Sequence, residues 1–416
     1  MRIAKIRPLL IVTLGVTLLL HGPGLPAGAQ TGEYVELFSN AATAREPIPA
    51  SILGIAMPGS VERLDIDLEA LRSSSSDFRK VRMTFGQGLV SLRVVRDKTE
   101  WSNDRAFSWF GKIENDGSSV LLSIHRDAVF GRIETGAGVY KIEPARGGYW
   151  LYQLDFSKEA KLDDGGVEPP VPYDISRADD RVVQKSAETT LNVFVVYTKG
   201  FKKAYPGSQL RAQIDLLINT ANLAYNNSNV PLKLKVVGRK KRNYPDGGTF
   251  DDSFKALDDI TKAVGVFSKV ARWRDQFAAD LVVLLRVKTE PGVCGLAWRM
   301  AELSVGFAPF GYSVVQVGRL ELEGGGSTTC TDQTAAHEIG HNLGSNHNTG
   351  DSSIFSFSLG HLFGTLGTVM NTLPRSARVS YFSNPKVKFE GRKTGTTKLN
   401  NARSLTLVRE IAGAWR

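Results

Sequence analysis

Ala336-His337-Glu338-Ile339-Gly340-His341-Asn342-Leu343-Gly344-Ser345-Asn346-His347-Asn348 decides how this chain is read, because it gathers three of only six histidines in 416 residues into eleven positions. On a helix, His337 and His341 stand four apart and project from one face, within reach of a single metal ion. Glu338 follows the first histidine directly, where its carboxylate lies beside the metal without being a ligand, as a general base requires. A helix continued past this point would carry His347 away along its axis. Gly344 can take φ > 0 and turn the chain back beneath the metal. Three neutral imidazoles on Zn²⁺ leave the fourth tetrahedral position to water, the arrangement of a catalytic and not a structural site. The competing reading is a polar helix that happens to be rich in histidine, and each further matching position weighs against it.

His337, Glu338, His341, Gly344 and His347 resemble the extended zinc motif of the metzincin metallopeptidases. In that family a tight turn carrying methionine follows beneath the metal, and Gly367-Thr368-Val369-Met370-Asn371, 23 residues after His347, resembles that Met-turn. Leu191–Thr198, Cys294-Gly295-Leu296-Ala297-Trp298, Tyr312–Val315 and Tyr381–Pro385 are similar to segments of the reprolysin-like branch, and within it to secreted bacterial peptidyl-Asp metallopeptidases. The likeness spans about residues 190 to 416. It implies an α/β (α+β) metzincin-like zinc-peptidase domain with one catalytic Zn²⁺, Glu338 as base, protein or peptide substrates and an acidic preference near the scissile bond. It also implies that Gly295, Leu296 and Ala297 form the edge strand that holds an extended peptide by strand addition; an ordinary edge strand is the alternative. Thr372 stands where some branches place a tyrosine, so that role has no residue here. Calcium occurs in parts of the family, but this chain has no EF-hand-like loop or acidic nonapeptide repeat, and calcium stays open.

The chain starts with a basic stretch (Arg2, Lys5, Arg7), an apolar run from Leu9 to Leu20 and a small-x-small site at Ala27-Gly28-Ala29. Residues 1–29 therefore read as a signal peptide, too short in its apolar part to span a bilayer, and imply a secreted or periplasmic protein without a transmembrane anchor. In an oxidising compartment Cys294 and Cys330, the only two cysteines, can pair; two free buried thiols are the alternative. A pair would tie the edge strand to the segment leading into the zinc helix.

Composition divides the rest. Residues 161–189 begin with the Gly-, Pro- and acid-rich Lys161–Pro172 and stay unpatterned, as a linker does. Before it, residues 30–160 show short alternating apolar runs between Val81 and Phe156 with turns at Asn115-Asp116-Gly117 and Thr135-Gly136, which predict a mostly antiparallel β domain. After it, residues 190–416 predict strands at Leu191–Tyr197, Leu232–Val237 and Leu281–Val287, and helices at Gln209–Asn226 and Ala271–Phe277. Residues 30–186 hold 20 basic and 24 acidic side chains (−4), whereas residues 187–416 hold 29 and 18 (+11). Opposite charge favours docking of the first part on the second, as expected of an inhibitory propeptide in a zymogen; a permanent accessory β domain is the alternative. The N-terminal part has no cysteine, so no cysteine switch operates, and Asp163, Asp164 or His125 are the candidates to meet the metal. Maturation is expected between Gly165 and Thr190.

Arg239-Lys240-Lys241-Arg242 reads as a solvated turn after a strand and not as a nucleic-acid patch. His361 reads as a surface or outer histidine, since three ligands are already supplied. The competing function is a catalytically silent secreted binding protein on the same fold. Such a protein would be expected to lack Glu338 or a ligand, and all are present.

Overall fold

Strict alternation in the N-terminal half builds a sheet whose two faces are both used. The computed structural model describes residues 34–40, 46–73, 78–114, 117–159, 166–172, 187–322, 327–348, 354–372 and 377–416. The expected signal peptide lies outside them, as do Asp163 and Asp164. The strands are β1 (Val35–Glu36), β2 (Phe38–Asn40), β3 (Glu62–Ile66), β4 (Lys80–Phe85), β5 (Val90–Asn103), β6 (Ala106–Ile113), β7 (Ser119–His125), β8 (Ala128–Thr135), β9 (Gly138–Ala145) and β10 (Gly148–Gln153), with α1 (Ala50–Leu53) and α2 (Leu68–Arg72) between them. β4 to β10 run as an antiparallel meander, and β3 pairs with β10. The six residues Val35–Asn40 serve both edges, β1 pairing with β4 and β2 with β3, so that neither edge is left to template aggregation. Phe107, Trp109, Val120, Leu122, Ile124, Val129 and Ile133 fill the inner face. The alternate residues Phe110, Leu121, Ala128 and Phe130 are buried on the outer face. β6 to β8 therefore lack the polar-out pattern of a one-sided sheet.

The second half adds β11 (Thr189–Tyr197), α3 (Lys199–Ala204), α4 (Gln209–Asn227), β12 (Leu232–Lys241), α5 (Phe250–Thr261), α6 (Val270–Gln276), β13 (Leu281–Val287), β14 (Gly295–Ala297), β15 (Tyr312–Glu321), β16 (Ser327–Cys330), α7 (Thr334–Asn342) and α8 (Asn401–Ala412). The sheet order is β12-β11-β13-β15-β14, parallel except for β14, which runs antiparallel to β15 along one edge. Parallel neighbours need crossovers, and α4 supplies the one from β11 to β12. Strands covered on both sides read as unbroken apolar runs, as in Leu281-Val282-Val283-Leu284-Leu285.

The predicted strands and helices of this half lie within a few residues of those observed, and three helices, α3, α5 and α8, escaped the sequence reading. α5 has a readable start: the Thr249 hydroxyl accepts from the Asp252 N–H at 3.2 Å, and the Asp252 carboxylate accepts from the Gly248 N–H at 2.6 Å. One expectation is corrected. Arg239-Lys240-Lys241 is not a turn but the end of β12, paired with β11 as far as Tyr197. The strand persists because Arg239 reaches Asp215 on α4 at 2.6 Å and Arg242 lies over Trp273 at 4.0 Å, which gives the long cationic side chains partners on both sides.

α4 joins the two halves. Its Ile214, Leu217, Ile218 and Ala221 enter the core of the second sheet. Ala212, Leu216 and Leu223 face the other way, against Phe110, Leu121 and Phe130 of the first sheet.

Candidate metal centre

α7 is buried along its whole length. His337 and His341 project from one face of it, as the four-residue spacing requires. The helix stops where the Ser345 N–H reaches the Gly340 carbonyl at 2.9 Å and the Gly344 N–H reaches the His341 carbonyl at 3.0 Å, the paired bonds of a Schellman end. Gly344 has φ +74°, and a Cβ there would lie 2.7 Å from Ile354 Cγ2, so both backbone and space call for glycine. The returning chain is fixed by the Asn346 N–H on the Ser358 carbonyl at 2.8 Å, and this brings His347 back to the helix.

The three imidazoles converge. His337 Nε2 lies 3.1 Å from His347 Nε2 and 3.2 Å from His341 Nε2, and the nearest ligand atoms of the three fall within 4.8 Å of one another. His337 Nδ1 is 3.0 Å from the Val369 carbonyl and His341 Nδ1 is 3.0 Å from the Ser345 carbonyl, so each Nδ1 carries the proton and donates. That tautomer turns the Nε2 lone pairs towards one another, which a shared cation relieves. Tetrahedral zinc with ~2.0–2.1 Å bonds to nitrogen sets its ligands about 3.3 Å apart, so the donor set fits the ion.

Met370 lies under the helix, fully buried. A Cβ on Gly340 would be 2.6 Å from Met370 Sδ, so the glycine within the histidine motif is what lets the methionine approach. Glu338 is buried beside the edge strand, and a Cβ on Gly295 would stand 2.6 Å from its Cδ. Gly295 is therefore required for strand and carboxylate to share the space. Asn342 Nδ2 donates to the carbonyls of Trp298 and Tyr312 at 2.8 and 3.0 Å, and the Met300 N–H donates to the His341 carbonyl at 3.1 Å, which fixes helix to strand. Cys294 and Cys330 form a disulfide with Cα atoms 5.3 Å apart, joining the start of β14 to the end of β16.

A segment of the linker lies along this edge. The Val167 N–H donates to the Ala297 carbonyl at 2.9 Å and the Arg299 N–H donates to the Val167 carbonyl at 2.8 Å, a parallel bridge opposite Trp298. Gly166, with φ +53°, rests on the metal-side histidine: a Cβ there would lie 2.9 Å from His341 Cγ and 3.2 Å from Arg299 Cβ. Pro169 and Pro170 offer no N–H and limit the ladder to this bridge.

Leading into α7, Asp332 is enclosed by the first sheet. Arg132 reaches it at 2.9 Å and Lys141 at 3.1 Å; Arg132 also donates to the Arg378 carbonyl at 2.7 Å and pairs with Glu134. Glu134 accepts from the Ser380 N–H and hydroxyl, and Arg378 pairs with Glu159. Burial alone would raise the Asp332 carboxyl, yet Lys141 and Arg132 hold it below the ordinary carboxylate range.

Among the described residues, His337, His341 and His347 are the group that could hold a metal. His125 is not part of it. It lies on β7, where burial and the neighbouring Arg211 push its pKa down despite Asp215. His361 is also outside the group, its ring stacked on Phe363 and its pKa lowered by burial. The place of Gly166–Glu168 beside the end of β14 was missed. Their only sequence signal was a glycine ahead of an acid and two prolines.

Residues 187–383, a little under half of the chain, match the metallo-peptidase family M12, and the chain is a zinc metalloendopeptidase. Over most of its length it is similar to proteins named peptidyl-Asp metalloendopeptidase. One from Stenotrophomonas maltophilia (strain K279a) is 26% identical over 92% of this chain and 93% of that one. One from Xanthomonas campestris pv. campestris is 23% identical over 96% and 97%. One from Pseudomonas aeruginosa is 26% identical over 49% of this chain and 36% of that one. A solved structure of a chaperone-substrate complex aligns at 18% identity over 68% of this chain and 38% of that one, with a TM-score of 0.42, too loose to carry an argument. No helix among the described residues is long and apolar enough to cross a membrane.

Proposed function

We propose that the chain is an exported zinc endopeptidase that cleaves extended peptides near acidic residues, with His337, His341 and His347 as the metal ligands and Glu338 as the general base. The observation that carries this reading is the convergence of three Nε2 atoms beside a buried carboxylate that is pressed against an edge strand. Bound zinc supplies a Lewis acid that polarises a carbonyl and acidifies a water. Glu338 takes the proton of the attacking water and hands it to the leaving amine. Gly295, Leu296 and Ala297 hold the substrate backbone by strand addition, and the Val167 bridge supports this use of the edge. Met370 floors the site, and the carbonyl of its neighbour Val369 orients His337. The acidic preference draws on the relatives' names and on the +11 charge of residues 187–416.

The N-terminal sheet acts as a propeptide. Its support is the lie of Gly166–Glu168 across the edge strand and against His341, downstream of that sheet. Export rests on the leader-like start and agrees with the disulfide. Calcium has no part in the reading.

Casein or peptide-library hydrolysis by the purified secreted protein, with zinc quantified, tests the assignment. Wild type should cleave and a chelator should stop it. Glu338→Ala should keep its zinc and lose on the order of 10²–10⁴-fold in kcat, the usual worth of a positioned general base. A zinc-loaded, processed wild type that cleaves nothing would sink the hydrolytic reading. An active form that still begins at Gln30 would sink the propeptide.

A further inference from the structure

We propose that Arg299 is the residue that reads an acidic side chain in the substrate, and that Glu168 of the chain's own linker takes that place in the structure. The inference rests on the endopeptidase reading above and names the determinant of its acidic preference.

Val167 packs against the main core. Gly166 lies between the His341 ring and Arg299 Cβ. Two positions on, the Glu168 carboxylate meets Arg299 NH2 at 2.9 Å. The residue whose backbone N–H captures the strand is thus the residue whose guanidinium captures the acid. The two ends of this pair differ. The Glu168 side chain is 68% exposed and that of Arg299 only 13%. The Arg299 side chain is therefore mostly covered, while the acid sits at the solvent side of the pair, the position a substrate carboxylate takes in this proposal. Guanidinium geometry suits a carboxylate, and the mostly covered position screens the pair less than an open surface would.

Two other cations of this sheet region are committed elsewhere. Lys288 Nζ donates to the carbonyls of Gly292 and Val293 at 3.2 and 3.0 Å, and burial brings its pKa down to about 8. Arg319 pairs with Glu321 and reaches the Ala50 carbonyl. A peptide laid along β14 in place of the linker, with Asp or Glu within two residues of the one against His341, would present its carboxylate to Arg299.

Two measurements on the full chain test this. The first is amide exchange at Val167 in the whole, unprocessed chain, which requires no turnover. Glu168→Gln and Arg299→Gln should each speed it about 10-fold, between the worth of an exposed pair and that of a buried charge-assisted bond. The exchanged pair, Glu168→Arg with Arg299→Glu, should restore protection. Exchange unmoved by either single change overturns the assignment of Glu168 to that place.

The second is hydrolysis, by the chain expressed whole and processed, of two peptide pools that differ only in Asp and Glu against Asn and Gln. Wild type should favour the acidic pool about 10-fold in kcat/KM. Arg299→Gln should erase the ratio, Arg299→Lys should keep part of it, and Arg299→Glu should favour a Lys-containing pool. The ratio is read within each variant, so a general loss of turnover does not enter it. An acidic preference that survives Arg299→Gln overturns the proposal and leaves the endopeptidase reading standing. A zinc-loaded wild type that cleaves neither pool removes that reading, and the substrate role of Arg299 falls with it.

Discussion

The two ends of α7 are built on opposite electrostatic principles. At its C-terminal end the Nε2 atoms of His337, His341 and His347 converge, the arrangement assigned above to the proposed metal ligands. At its N-terminal end Asp332 is already enclosed by Arg132 and Lys141 from another sheet, its charge met within the protein. The first end is open to a ligand and the second is sealed. One helix is thus locked at the end away from the proposed metal site and left receptive at the end that holds it, as positioning a site within a fraction of an ångström requires.

The sealed end should be the costlier to break. Asp332→Ala leaves Lys141 buried without its carboxylate and Arg132 with Glu134 alone, and unfolding by urea should show a loss of ~3–5 kcal/mol. Replacing the cluster by apolar residues of similar volume should recover most of it, because the deletion penalty is mainly that of a stranded charge. A loss under about 1 kcal/mol for Asp332→Ala would mean that water reaches the cluster and that the end is not sealed. Next comes the disulfide that joins this end to the cleft edge. The Cys294→Ser, Cys330→Ser double variant frees a loop with a sequence separation of 36 and should lose about 3–4 kcal/mol, read as a lower Tm under oxidising conditions and no difference from wild type under reducing ones.

These two ends also differ in how far the sequence discloses them. The receptive end comes from eleven consecutive positions and one turn 23 residues later, so helical spacing and a glycine suffice to assemble it. The sealed end joins Arg132 to Asp332 across 200 positions and to Arg378 across 246, and no local pattern announces such pairs. The same holds for α4. Its Ile214, Leu217, Ile218 and Ala221 show the periodicity of a helix resting on a sheet, whereas Ala212, Leu216 and Leu223 on its other face are explained only by Phe130 and its neighbours on β6 to β8. The N-terminal strands were legible as alternation, but the closing of the sheet by Val35–Asn40 was not, since two and three residues of strand carry no period. The place of Gly166–Glu168 beside the end of β14 was hidden for the same reason, a single bridge being shorter than any repeat.

On the receptive side the effects should be smaller in stability and larger in metal affinity. Gly344→Ala forces a side chain into φ +74° and towards Ile354, and should cost about 1–2 kcal/mol. Because the turn delivers His347, zinc affinity measured by competition with a chelator should fall on the order of 10-fold, with the α-helix signal retained. Unchanged affinity would show that His347 reaches the site without that turn.

Acid separates a buried carboxylate from two half-buried histidines by pH. Asp332 has a folded pKa below its unfolded value, so its contribution is full above about pH 3.9 and is lost as pH falls through the folded value. His125 and His361 are also lowered, each chiefly by burial, which favours their neutral forms in the fold. The advantage of keeping them neutral is complete above about pH 6.5 and declines as pH falls through their folded values. Stability of the chain without metal should therefore fall in two stages, a shallow one below about pH 6.5 and a steeper one below about pH 4. His125→Gln with His361→Gln should flatten the shallow stage alone, and the apolar replacement of the Asp332 cluster should flatten the steep one alone. A single continuous decline that neither change alters would mean that the sealed end is not what acid opens.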